Sequence, residues 1–367
     1  MPTSILNKYA QLLVNYCVSL KEGERVLIQS TTLAEPLIRE VYREALRAGG
    51  LPHIQMDFRD QRNIRLNESS AEQINYVDPL YALAMQEFDA FIYIRAPFYS
   101  RSTQKTNAEN AKLDTLARKP YRQRYSERTA TLEMKRTLCE YPTAAHAQNA
   151  GLSLEEYADF IYNACHLYDE NPQACWEEVS RNQQAAVDLL NQRKKVRYLG
   201  EGIDISFSTE GRTWINSDGR TNMPSGEVYT APVDDSVNGT IHFAYPSMFM
   251  GEEVEGITLW VKDGWVEKWE AKKGKKLLDK IFEIDEGARR FGEAAIGTNM
   301  RIQTPVKNIL FDEKIGGTVH MAVGQAYIQN GGTNTSAIHW DMIADMKNGG
   351  QIFADNELIY ESGKFIF

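Results

Sequence analysis

The 367-residue chain is poor in the residues that would place it outside the cell or in a membrane. It has four cysteines, Cys17, Cys139, Cys165 and Cys175, none in a C-x-x-C spacing. In a chain this long, such sparse usage reads as reduced, mostly buried thiols. It also leaves the second half without donors for a cysteine-rich structural zinc site. No apolar run approaches the roughly 20 residues needed to span a membrane. The start, MPTSILNKYAQLLVNY, is amphipathic and lacks the cationic segment and cleavage site of a signal peptide. Positive charge is in deficit: 41 Lys and Arg against 50 Asp and Glu leave a net −9, which argues against general attraction to nucleic acid. No G-x-G-x-x-G follows the first strand pattern, so a dinucleotide fold would lack its phosphate loop. There is no Ser or Cys nucleophile motif, internal repeat or low-complexity segment. The expectation is a cytoplasmic protein with neither membrane nor nucleic acid as partner.

What is present divides in two. Apolar residues make up 43% of the chain and charged ones 25%, ordinary for a globular protein of one large or two smaller domains. Ile5, Leu6, Tyr9, Leu12, Leu13, Tyr16 and Cys17 recur at helical spacing. RVLIQS (25–30), PHIQM (52–56) and FDAFIYIRA (88–96) read as strands, and Pro36 and Gly49-Gly50 bracket a helix between the first two. Alternating units of this kind predict a parallel sheet covered by helices. Residues 101–195 read as mainly helical, and the basic stretch ARKPYRQRYSER (117–128) as a solvated helical face. From about residue 200 strands and turns dominate. GITLWVKDGWVEKWEA (256–271) reads as a hairpin about Asp263-Gly264, and the C-terminus as another about Asp355-Asn356. One helix is expected over 274–292. The fold class is therefore α/β: an N-terminal domain, 1–197, with a parallel sheet flanked by helices, and a strand-rich α+β C-terminal domain, 198–367.

The candidate chemistry lies in the second part. In AIHWDMI (337–343), His339 and Asp341 would project to the same side of a strand. Imidazole with carboxylate suits zinc, cobalt or manganese, but ligands come in sets of three or four. Further donors are few. Glu227 sits between turn residues in NMPSGEVYTAP, and also fits a solvated turn. Glu293, in RRFGEAAIG, is placed just beyond a helix end at Gly292 but in apolar company. His320, in GGTVHMAVGQAY, also fits a satisfied core histidine, and Tyr327 a packing residue. If that segment is extended, Gly324 has to break the alternation for His320 and Tyr327 to meet. His242 reads as an ordinary strand residue, and Glu313 as a rival carboxylate that spacing does not exclude.

Taken in order, GEGIDISF (200–207), NMPSGEVYTAP, ARRFGEAAIG, FDEKIGGTVHMAVGQAY and NTSAIHWDMI resemble peptidase family M29, the thermophilic-type metallo-aminopeptidases. GERVLI and the helix after it fit the family's N-terminal domain, so the resemblance runs over essentially the whole chain. It implies a dimeric exopeptidase that uses two divalent metal ions (zinc, cobalt, manganese or magnesium) to activate water. The positions matching the family's ligands are Glu227, Glu293, His320, His339 and Asp341, and Tyr327 matches the active-site tyrosine; Glu293 is further expected to double as the general base or to lie beside it. Peptides with a free N-terminus are the implied substrates. The alternatives are another two-metal amidohydrolase or phosphoesterase, for which two credible histidines are few, or a non-catalytic ligand-binding α/β protein. The five donors are expected to converge, with His242 and Glu313 outside the set.

Overall fold

The structure is a computed structural model and describes residues 3–99, 106–249 and 251–367. The chain forms two compact units, residues 1–173 with 219–224, and residues 174–218 with 225–367. The division expected from sequence lay at 197/198. The difference is helix Pro172–Leu190, which a composition shift assigns to the helical half. Its Val187 and Leu190 are instead buried in the same hydrophobic cluster as the strands that follow.

The first unit is built on a five-stranded, all-parallel sheet in the order Leu51–Asp57, Arg25–Thr31, Ala90–Arg95, Lys135–Glu140, Asn222–Met223. Val26, Ile28, Ile92 and Ile94 are fully buried along one face. On the other face Leu27 joins Ala84, Met85, Phe88 and Met134. Where both faces are covered, as along Arg25–Thr31, the strand reads as a continuous apolar run, whereas the edge strand Leu51–Asp57 stays largely exposed. The basic stretch 117–128 lies within helix Ala108–Ala130. Its arginines are largely held at home: Arg118 pairs with Asp114, and Arg124 and Arg128 with Glu133. Among the described residues, no helix is long and apolar enough to cross a membrane.

The second unit carries two largely antiparallel sheets. One has nine strands and includes both expected hairpins. Strand Glu252–Lys262 turns at Asp263-Gly264 into Trp265–Lys273, and Gln351–Ala354 turns at Asp355-Asn356 into Glu357–Glu361. All four turn residues have positive φ, which is what a two-residue hairpin with the native twist requires. His242 lies on this sheet, where its Nδ1 meets Thr258 Oγ1 at 2.9 Å.

The second sheet has five strands in the order His339–Asp345, Thr318–Gly324, Phe291–Gly297, Glu227–Thr230, Ile215–Ser217. Here one expected element is corrected. The helix foreseen over 274–292 is a short helix, Lys275–Ile281, then a 3-10 turn, Glu286–Arg289, capped by the side chain of Asp285. FGEAAIG is a strand that is buried at every position. A central strand buried on both faces shows no period-2 signal, so its start is easily read as the end of the preceding helix.

Gly324 ends the strand that carries His320. Its φ is +98°, and a Cβ there would lie 2.2 Å from the Ile338 carbonyl oxygen. Gly324→Ala is therefore expected to cost more than the ~1–2 kcal/mol of left-handed backbone strain alone. Urea denaturation checks this against Gly23→Ala, where φ is +78° but no atom lies within 4 Å of the added Cβ. Equal losses for the two variants would remove close contact from the account of Gly324.

Candidate metal centre

The register of the five-stranded sheet assembles the site. Residues directly opposite each other in an antiparallel ladder share a face. Gly297 is opposite Glu227, and Ala295 is opposite both Tyr229 and His320. Ala322 is opposite both Glu293 and Asp341, and Gly324 is opposite His339. Glu227, Glu293, His320, His339 and Asp341 thus point to one side of four adjacent strands. Between them stand Ala295, Ala322, Gly297 and Gly324, which leave room. The ladder slips by one residue between Phe291 and Glu293, and such a bulge re-aims the side chain that follows it. Gly292 sits at the slip, where a Cβ would collide with the carbonyl oxygens of Gly324 and Gln325. Glu227 is not a solvated turn residue: it opens its strand behind Gly226, whose φ is +114°, and is 5% exposed.

Two groups of donors result, Glu227 with Glu293 and His320, and Glu293 with His339 and Asp341. Within each, the ligating atoms lie inside 4.8 Å of one another, and Glu293 belongs to both. His320 Nε2 is 3.3 Å from Glu227 Oε2 and 3.3 Å from Glu293 Oε1. His339 Nε2 is 3.5 Å from Glu293 Oε2 and 3.4 Å from Asp341 Oδ1. The His339 ring is oriented by its Nδ1, which donates to the Gln325 carbonyl at 2.7 Å. This leaves Nε2 facing the carboxylates, the arrangement common in metal-bound histidines.

The donor set fits divalent cations. Glu227 Oε2 and Asp341 Oδ1 are buried acceptors without a hydrogen-bond partner among the described residues, and such atoms are costly unless a cation or donor meets them. Burial opposes a charge on His320 and His339, but the facing carboxylates outweigh it: Glu293 and Glu227 hold His320 up at about 9, and Asp341 and Glu293 hold His339 at about 10. Burial would raise Asp341, yet His339 brings it down to about 2. Glu293 is raised by burial, against the pull of His320.

Two neighbours complete the pocket, and sequence reasoning had set one aside and passed over the other. Glu313 lies outside both donor groups but close enough to feel them. Burial raises its carboxyl to about 7; Lys314 pulls it down, and Glu227 and Asp341 push it up. Lys314 is fully buried, with Nζ 2.8 Å from Glu227 Oε1 and in contact with Glu313. Burial disfavours its charge, but these two carboxylates more than restore it. Lys314 stands in ILFDEKIGG as one of three consecutive charged residues, and such lysines are ordinarily exposed, so the sequence carried no signal of its burial. Tyr327 follows the strand break at Gly324, its ring centroid 5.1 Å from that of His339. Its hydroxyl has no hydrogen-bond partner among the described residues. Desolvation and the nearby Glu293 and Asp341 raise its pKa well above the usual phenol value.

The imidazole shifts set a pH dependence. With folded values of about 9 and about 10 against 6.5 for the free ring, both rings carry protons at neutral pH in the ion-free protein. Their contribution to its stability is complete below about 6.5 and is lost as pH rises through those folded values. The depressed Asp341 contributes above 3.8 and loses that contribution as pH falls towards about 2. A cation meeting Nε2 must displace the proton, so its affinity should rise with pH. Calorimetric titration in buffers of different ionisation heat should report about two protons released per loaded chain. Affinity that stays flat between about pH 6 and 8, with no proton release, would show that these rings do not face the ion.

Aminopeptidase 2 of Geobacillus stearothermophilus is 28% identical, over 99% of this chain and 98% of its own length. Aminopeptidase T of Thermus aquaticus is 32% identical, over 52% of this chain and 51% of its own. The solved structure of wild-type AmpT from Thermus thermophilus superposes with a TM-score of 0.85 over 99% of both chains at 24% identity, which shows the same fold. A sequence model of the family described as thermophilic metalloprotease (M29) matches residues 3–365, and this chain belongs to that family.

Proposed function

We propose that the chain is a metal-dependent aminopeptidase that releases N-terminal residues from peptides, with two divalent ions held by Glu227, Glu293, His320, His339 and Asp341. The observation that carries the proposal is the pair of donor groups joined through Glu293, the form a two-ion hydrolytic site takes. When bound, the ions would supply Lewis acidity towards a peptide carbonyl and a water molecule. Three carboxylates offset three of the four positive charges of such a pair. The names of the relatives, all aminopeptidases, support a substrate with a free α-amine.

The protein's own groups do the rest. Glu293 is the shared donor and is proposed either to move a proton itself or to lie beside the group that does. Glu313 supports the second form, since a carboxyl raised to about 7 is matched to proton transfer near neutrality. Tyr327 is proposed to donate a hydrogen bond to the oxygen on which charge develops, a role its unengaged hydroxyl supports. A homodimer in the cytoplasm completes the reading. All four cysteines carry thiols, consistent with a reducing compartment. At the edge of the parallel sheet Leu46, Ile54 and Met56 are exposed around a hollow of about 410 Å³, an apolar surface that a second copy would cover.

Chelation is expected to abolish hydrolysis of a leucyl amide substrate, and added cobalt, manganese or zinc to restore it. An N-acetylated substrate cleaved as fast as the free one would overturn the aminopeptidase reading. Tyr327→Phe is expected to keep wild-type ion content and KM while kcat falls about a hundredfold to a thousandfold, the range for loss of an oxyanion donor. A fully loaded variant with kcat within a few-fold of wild type would return Tyr327 to a packing role.

A further inference from the structure

Lys314 is the one lysine or arginine, among the described residues, in ion-pair contact with any of the five proposed ligands. Its side chain is wholly buried, and the partners seen for its ammonium are Glu227 Oε1 at 2.8 Å and the Glu313 carboxylate. Its position is imposed by the backbone. The Lys314 N–H donates to the Phe311 carbonyl at 3.0 Å, and its own carbonyl accepts from the Asn299 N–H at 3.0 Å. Asp312 anchors the segment from the other side by accepting from the N–H groups of Val306 and Asn308. Asn299 Nδ2 in turn donates to the Ser225 carbonyl, just ahead of Glu227. The lysine and the carboxylate it holds are therefore parts of one packed loop system.

The two donor groups then differ in a way their ligand types do not show. In the group of Glu293, His339 and Asp341, the ion-pair partners of the carboxylates among the described residues are imidazoles, and an imidazole can lose its proton and turn its nitrogen to an ion. In the group of Glu227, Glu293 and His320, one oxygen of Glu227 is already committed to an ammonium that cannot become a ligand while it stays charged. Glu227 Oε2, without a hydrogen-bond partner among the described residues, is the oxygen open to an ion, and that ion would sit next to a fixed positive charge in a buried site, where charges act strongly on one another. We propose, resting on the two-ion reading above, that Lys314 makes the two cation positions unequal: the position at Glu293, His339 and Asp341 binds its ion tightly, and the position at Glu227, Glu293 and His320 binds weakly and exchanges. Lys314 is a positioning residue in this account. It holds Glu227 in place for the second ion and limits how firmly that ion is kept.

The test is stepwise cobalt titration of the chelated, full-length protein, followed by calorimetry and visible absorption. Wild type is expected to show two steps whose affinities differ by more than about tenfold. Lys314→Met should tighten the weaker step by about tenfold or more and leave the stronger one within about threefold. The double variant E313Q/K314M removes the buried pair together, avoids leaving two carboxylates unbalanced, and should narrow the gap in the same direction. Two wild-type steps within about threefold of each other, or a gap that both variants leave unchanged, would overturn the role of Lys314. Glu293→Gln separates this from failure of the site itself: loss of both steps upholds the shared ligand, whereas two unaltered steps would show that the ions bind elsewhere.

Discussion

The constraint on which the site depends is the register of one antiparallel sheet. Five donors drawn from residues 227 to 341 reach a common face only because Glu293 and Asp341 both stand opposite Ala322, and His320 stands opposite Ala295. A slip of one residue in any of these strands would turn its donors to the other face of the sheet. The small residues between the donors matter as much. Alanine at 295 and 322 lets carboxylates and imidazoles from adjacent strands approach across the space a larger side chain would fill.

Burying so many acids in one place is unfavourable unless positive charge meets them. Without ions, that charge comes from protonated His320 and His339 and from the ammonium of Lys314. On the proposed two-ion reading, the same groups act as counterions without ions and, for the histidines, as ligands with them. Cation binding and proton release are two sides of one exchange. On that reading Lys314 is the member that cannot complete the exchange in the same way, which would set the two halves of the site apart despite their sharing Glu293.

The strands deliver these side chains because irregularities interrupt them at set points. The bulge at Gly292 aims Glu293, the missing side chain of Gly226 lets Asn299 pack close behind Glu227, and the break at Gly324 brings Tyr327 back beside His339. The Gln325 carbonyl that orients His339 belongs to that same break. A regular strand through residue 327 would have carried the tyrosine away from the sheet face.

Much was legible in the chain itself. The apolar runs at 25–30 and 88–96 point to a parallel sheet, since such segments need burial on its faces, while 52–56 forms its exposed edge. The Asp-Gly and Asp-Asn dipeptides determine hairpins, since few other residues accept positive φ at the turn. His339 and Asp341 share a side by strand periodicity alone, and order along the chain, set against a family pattern, named the other donors. The tertiary structure decided what local pattern does not encode. It moved helix Pro172–Leu190 to the second unit, because burial of its apolar face depends on strands that come later. It turned residues 291–297 from a helix end into a central strand, because burial on both faces erases periodicity. It brought Lys314 between Glu227 and Glu313, a contact between residues 87 positions apart that only the packed loops create.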